Sequence, residues 1–174
     1  MINVCIADNF PVVHFGIKAY FKDHSEINVA SNVGNFFMIP DALRNKEIDV
    51  LIMDLELDGL NSIYEVKSII KNFPKTKVIV FSNLSEHIYA PNAIKAGCAG
   101  YVHKTSKLEN LGVTIVKVNN GQIILNDDIK KKLALIAKQN KSERLYRKLS
   151  NREIEVLRFL SDGKKNNEIA KILN

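Results

Sequence analysis

The sequence predicts an α/β fold, a parallel sheet of five strands with helices on both faces. Three observations carry that expectation. Short Val- and Ile-rich runs recur along the first two thirds of the 174 residues, amphipathic segments separate them, and polar side chains stand directly after the runs. Strands buried on both sheet faces read as short continuous apolar runs, and their alternation with helices implies a parallel sheet.

The first strand is "INVCIA" (2–7). The segment "PVVHFGIKAYFKDH" follows as a helix. Pro11 stands at its first position, where a missing N–H is tolerated, and Val12, Val13, Ile17, Ala19, Tyr20 and Phe21 supply its apolar side. The second strand is "INVASN" (27–32), and "NFFMIPDALRNK" gives the second helix, with Phe36, Phe37 and Met38 expected in the core. "DVLIMD" (49–54) is the third strand, followed by "NSIYEVKSIIKNF" as a helix. "KVIVFS" (77–82) is the fourth strand. Proline cannot continue a helix from its interior, so the fourth helix is expected to start late, near Pro91, or to kink there. "GYVH" (100–103) is the fifth strand and "SKLENLGVTIVKVNNG" the fifth helix.

Composition closes off several classes. The chain is 46% hydrophobic, so it can bury a core and is not a disordered polymer. No run of about 20 apolar residues is present, so no membrane span and no membrane partner is expected. The chain starts on its first strand without a signal peptide, and Cys5 and Cys98 lie in apolar surroundings. A cytoplasmic protein with two reduced thiols is expected. His14, His24, His87 and His103 share no ligand spacing, so a metal site built from them is not expected. Residues 1–120 carry 12 Lys and Arg against 12 Asp and Glu; residues 121–174 carry 13 against 7, so the whole net charge of +6 lies in the last third. Such asymmetry suggests two parts with different partners, and nucleic acid suits the basic one.

Ligands of open α/β sheets bind at the carboxyl ends of the strands. There the first strand delivers Asp8 and Asn9, the third Asp54 and the fourth Ser82, and Lys104 follows the fifth. Carboxylate oxygens suit a hard cation such as Mg²⁺. Asp54 can act as a nucleophile toward phosphorus, Lys104 and the cation can neutralise charge on a transferring phosphoryl group, and Ser82 can hydrogen-bond one of its oxygens. An aspartate after an apolar strand is most often only a loop starter or a helix cap. The ordered set is what points to phosphoryl chemistry.

The stretches "IADNFPVVHFGI" (6–17), "DVLIMDLEL" (49–57), "VIVFSN" (78–83) and "KAGCAGYVHKTS" (95–106) resemble two-component response regulators of the NarL/FixJ class. The resemblance implies a flavodoxin-like receiver phosphorylated on Asp54 by a sensor histidine kinase. It also implies a Mg²⁺ pocket from Asp8, Asn9, Asp54 and the Glu56 backbone, with Ser82 as switch hydroxyl, Tyr101 as switch aromatic and Lys104 as the phosphate-binding ammonium. The chain departs from that pattern in places. Asn9 stands where the family carries a second acid, so cation affinity is expected to fall. Asp58 and Ser62 replace the usual proline and glycine, Glu56 adds an acid, and Asn83 follows Ser82 where a small residue is common.

The remaining segments predict three divisions: a receiver over 1–120, a linker with a helix over 121–149, and a further domain from 150 to 174. "DDIKKKLALIAKQNKSERLYRKL" (127–149) reads as a linker helix and a basic connection. In "LSNREIEVLRFLSDGKKNNEIAKILN" (149–174), Ser150 and Glu153 form a capping box, Leu149 supplies the staple and Gly163 ends the helix. This stretch resembles the opening of a LuxR-type helix-turn-helix domain. The sequence ends at Asn174, so the domain is expected to be truncated, without its recognition helix. DNA reading then belongs to a longer form, and Lys164, Lys165 and Lys171 offer only weak phosphate contacts. Leu149, Ile154, Leu157, Leu160, Ile169, Ile172 and Leu173 would need cover, since burying one such side chain is worth roughly 1.5–3 kcal/mol. A homodimer is one source of that cover.

The reading is a transcriptional response regulator, not an enzyme. Three rivals stand beside it. One is a phosphorylation-independent regulator whose receiver serves as a dimerisation module. Another is a flavodoxin-like cofactor binder, disfavoured because no hydroxyl- and glycine-rich loop follows the first strand. The third is a headless chain that sequesters its full-length relatives.

Overall fold

The computed structural model describes residues 1–57, 63–131, 150–161 and 163–173. They form two compact units, Met1–Lys131 and Lys132–Asn174. In the first, β1 (Ile2–Ala7), β2 (Ile27–Val33), β3 (Val50–Met53), β4 (Lys77–Ser82) and β5 (Gly100–His103) pair in the order β2-β1-β3-β4-β5, every pair parallel. Around them lie α1 (Pro11–Tyr20), α2 (Ile39–Asn45), α3 (Ile63–Asn72), α4 (Glu86–Ala96) and α5 (Leu108–Asn119).

Side chains alternate between the sheet faces, and both faces are covered. Val4, Ile6, Val50, Ile52, Ile79, Phe81 and Val102 point to one side, where Ile17 and Phe21 from the α1 region and Leu111, Ile115 and Val118 of α5 complete a buried cluster. Cys5, Leu51, Met53, Val78, Val80 and Tyr101 take the alternate positions and are buried as well. Close packing is built into the sequence at Gly112, where an added Cβ would stand 3.1 Å from the Phe21 ring.

Two local expectations needed revision. Phe36–Met38 form a 3₁₀ turn in which Phe37 is 84% and Met38 51% exposed, so these two are not core, while Phe36 is partly buried. Asn35 caps that turn through its side-chain oxygen, which accepts the Met38 N–H at 3.1 Å. The fourth helix does not start late: α4 begins at Glu86, with Pro91 inside it. The Ser85 carbonyl accepts the N–H groups of Ile88 and Tyr89 and starts the helix ahead of the proline, which removes a single donor from its middle. Gly97, at φ +110°, then closes α4 in a left-handed conformation.

The first unit continues past α5. Ile124 bridges to Gly100 beside β5, its carbonyl accepts the Tyr101 N–H, and Leu125 and Ile129 are buried. Residues 127–131 are helical, and the rest of the expected linker, with Leu149, lies outside the described residues. In the second unit, α6 (Asn151–Ser161) and α7 (Asn166–Leu173) stand on either side of Gly163, whose φ of +77° turns the chain out of α6. The Lys164 N–H then bonds back to the Phe159 carbonyl. The capping box is present. Glu153 N–H donates to Ser150 Oγ at 3.3 Å, and the Ser150 N–H and hydroxyl both donate to the Glu153 carboxylate. Ile169 is buried, but Leu160 and Ile172 keep 44% and 49% of their surface, so the expected complete cover of the apolar stripe is not found at these two residues. The Leu157 side chain lies outside what the structure describes.

Candidate functional site

The strand order makes β1 and β3 neighbours, so the residues that follow them meet at the carboxyl edge. In a doubly wound sheet of this order, that is the point where chain direction reverses and a crevice opens. Asp8 and Asp54 stand there, 1% and 3% exposed. They are held alike. Asp8 Oδ1 accepts the N–H of Phe10 at 2.8 Å, and Asp54 Oδ1 accepts the N–H of Glu56 at 3.2 Å. Each aspartate therefore pins its own loop two residues on, the habit of this residue type in turns, and leaves Oδ2 for the pocket.

Both Oδ2 atoms meet one cation. Lys104 Nζ lies 2.6 Å from Asp54 Oδ2 and 2.7 Å from Asp8 Oδ2. The Asp54 contact is a hydrogen bond. The Asp8 contact is an ion pair without hydrogen-bond geometry, and the buried Asp8 Oδ2 has no hydrogen bond. Burial would lower the Lys104 pKa, but its hydrogen bond to Asp54 and its charge contacts with Asp54 and Asp8 outweigh burial and hold it above the ordinary lysine value. The Phe10 ring lies 5.4 Å from Nζ and adds a cation–π contact.

Ser82 ends β4 fully buried, and its Oγ accepts the Leu84 N–H at 3.3 Å. Tyr101 is buried on β5 and donates its hydroxyl to the Leu84 carbonyl at 2.9 Å. Burial comes first, followed by Tyr89, Asp54 and Glu86, in raising the Tyr101 pKa, so the phenol stays protonated and remains a donor. Asn9 and Glu56 lie at the rim, Asn9 exposed and Glu56 partly so. Asp58 and Ser62 lie outside the described residues. Sequence reading brought Asp8, Asn9, Asp54, Ser82 and Lys104 to one edge, and the family resemblance added Tyr101. It missed Phe10 over Lys104, and it missed His103, which bonds to Asn83 and Thr105. The Phe10–Lys104 and His103–Asn83 contacts join residues distant in the chain, so no local pattern reports them.

Two buried carboxylates against one ammonium leave an unbalanced negative charge, which is costly away from water. Among the described residues no group of three or more His, Cys, Asp or Glu side chains could hold a metal by itself. The donors that are present, hard oxygens with Asp8 Oδ2 free of hydrogen bonds, do fit a hard divalent cation completed by water. In the second unit, Lys164, Lys165 and Lys171 are all exposed.

A parallel five-stranded sheet with two aspartates, a hydroxyl and a lysine converging on its carboxyl edge defines a signal-receiving class of protein. The response regulator receiver domain family matches residues 4–116, and the chain belongs to that family. Residues 147–174 match the luxR family of bacterial regulatory proteins. Response regulator UvrY of Escherichia coli strain K12 is 29% identical over 178 residues, which cover 100% of this chain and 80% of that protein. Fimbriae Z protein of Salmonella typhimurium is 30% identical over 173 residues, covering 98% and 81%. A solved structure of RcsB from Salmonella enterica serovar Typhimurium, bound to promoter rprA in the presence of phosphomimetic BeF₃⁻, matches with a TM-score of 0.70 at 26% identity, over 99% of this chain and 83% of that one. The protein is a response regulator with a receiver and a LuxR-type DNA-binding region, in a family of transcriptional regulators. Receiver domains generally bind Mg²⁺ at the phosphorylation site. Among the described residues no helix is long and apolar enough to cross a membrane.

Proposed function

We propose that Asp54 is the phosphoryl acceptor and that a histidine kinase is the donor. One observation carries this reading: Asp54 Oδ2 is buried at the carboxyl edge of the sheet, 2.6 Å from the Lys104 ammonium that also contacts Asp8. The step is a displacement at phosphorus. Asp54 Oδ2 forms the new P–O bond as the P–N bond to a donor imidazole breaks, and the electron pair leaves with that nitrogen. Lys104 then exchanges its contact with Asp54 for one with a phosphoryl oxygen, and its pKa above the ordinary value keeps it charged for that task. The Ser82 hydroxyl, now accepting from Leu84, has its own proton to give to a second phosphoryl oxygen. Asp8, Asp54, the Asn9 amide oxygen and the Glu56 carbonyl would hold Mg²⁺, which supplies charge neutralisation during transfer.

Tyr101 supports a link from the acceptor to the outer surface. Its hydroxyl holds Leu84 in the loop that begins at Ser82, so a change of bonding at Ser82 reaches the start of α4. We assign the phosphorylated form to homodimer assembly through this surface, in the cytoplasm, with DNA as the partner of the LuxR-type region. The receiver's proposed limits are 1–120, with the linker over 121–149 and the DNA-binding region from 150.

Incubation with Mg²⁺ and acetyl phosphate, read by intact mass, tests the assignment. Wild type gains one phosphoryl group and Asp54→Ala gains none. Equal gain in both would remove Asp54 from the role. Asn9→Asp should tighten Mg²⁺ binding in titration; no gain would mean that Asn9 does not face the cation.

A further inference from the structure

We infer that His103 is a positioning residue that ties the loop bearing Ser82 to the loop bearing Lys104. The inference rests on the reading of Asp54 as acceptor and adds a residue to that site. The β4–β5 ladder ends with Ser82 opposite His103, and the Lys104 N–H donates to the Ser82 carbonyl at 3.0 Å. Beyond this point the two chains part toward α4 and α5. The His103 imidazole carries the connection one step further. Its Nε2 lies 3.0 Å from the Asn83 carbonyl, and its Nδ1 lies 2.7 Å from Thr105 Oγ1. The Thr105 N–H also points at Nδ1, at 3.3 Å.

These contacts select one tautomer. A carbonyl only accepts, so Nε2 carries the proton. A backbone N–H only donates, so Nδ1 is bare and the Thr105 hydroxyl donates to it. One neutral imidazole satisfies all three groups at once. Asn83 directly follows Ser82, and Thr105 directly follows Lys104. The ring therefore joins the residues adjacent to the two groups that must grip one phosphoryl from different strands. Tyr101 fixes the same β4–α4 loop one residue further along, at Leu84. With His103 gone, Asn83 loses its described side-chain tie to the strand that leads to Lys104, and the spacing of hydroxyl and ammonium about Asp54 loosens. A misplacement of order 1 Å in such a site can cost up to about a hundredfold in rate.

The test uses the full chain with Mg²⁺ and acetyl phosphate, comparing wild type, His103→Ala and His103→Gln. His103→Ala should label Asp54 about tenfold more slowly, with an unchanged far-ultraviolet circular dichroism spectrum. His103→Gln, whose amide N–H can reach the Asn83 carbonyl, should recover most of the rate. Wild-type speed in His103→Ala would overturn the inference, and so would a His103→Gln as slow as the alanine variant. Nitrogen-15 spectra of the unphosphorylated chain give an independent reading that needs no folded variant: Nε2 should be protonated and Nδ1 bare. The opposite tautomer would overturn the tie. A wild type that takes no label would overturn the acceptor assignment and with it the role of His103, while a persisting imidazole signature would separate that failure from a failure of the tie.

Discussion

In the first compact unit the Lys104 side chain keeps 9% of its surface and touches two buried carboxylates. In the second, Lys164, Lys165 and Lys171 are exposed, and Arg152 pairs with Glu155 at 3.4 Å, its own side chain half exposed. The same charge does different work in the two places. Buried, it holds a constellation whose parts depend on one another. Exposed, it is screened by salt and contributes little to stability, while remaining available for an anionic surface. The neutral receiver and the basic tail therefore differ less in how many charges they carry than in what water does to them.

The largest effect that would sharpen this contrast is removal of Lys104. Lys104→Ala leaves Asp8 and Asp54 buried without their cation, and breaking such a pair costs about 3–5 kcal/mol. Urea unfolding should show this loss in a metal-free buffer, with part of it returned by Mg²⁺. An unchanged midpoint would show that the two carboxylates are hydrated. Of similar size, Leu51→Ala in the centre of β3 should cost about 2–5 kcal/mol, whereas Ile172→Ala in the second unit should stay within about 0.5 kcal/mol. If Ile172→Ala cost as much, a partner would be covering α7 in solution.

Smaller effects follow. Ser150→Ala removes the cap of α6 and should cost about 1 kcal/mol of local helix stability, read by hydrogen exchange. Glu153 has its pKa lowered, first by the Ser150 backbone N–H and then by the hydroxyl. Its contribution is present above the ordinary value of 4.5 and is lost as pH falls through the lowered one. Lys104 behaves in the opposite sense. Its raised pKa means that its contribution is complete below 10.5 and is lost only as pH rises through the higher folded value. The thiols complete the series. Burial pushes Cys98 up to about 12 and is the main cause that raises Cys5 to about 11, so neither should react with a thiol reagent in the native chain at pH 8. Rapid modification would reveal opening of the core.

Much of the receiver was legible because of where its strands lie. A strand buried on both faces leaves no polar alternation, so "VLIM" is unmistakable, and the side chain after it is placed by the sheet. That logic located Asp8, Asp54, Ser82 and Lys104. It failed at Phe37 and Met38, where apolar letters sit on a turn that Asn35 caps, because periodicity records composition and not direction. Of the two outcomes expected at Pro91, a late start or a kink, the late start is excluded, because the Ser85 carbonyl starts α4 ahead of the proline. His103 gave no signal at all. Its partners, Asn83 and Thr105, come together only when β4 and β5 pair.

Whether Asp54 takes a phosphoryl group is settled most directly by chemical mapping. After exposure to acetyl phosphate and Mg²⁺, borohydride reduction of the acyl phosphate followed by peptide sequencing should mark position 54 and no other. A mark at Asp8, or at no position in a chain that binds Mg²⁺, would contradict the account.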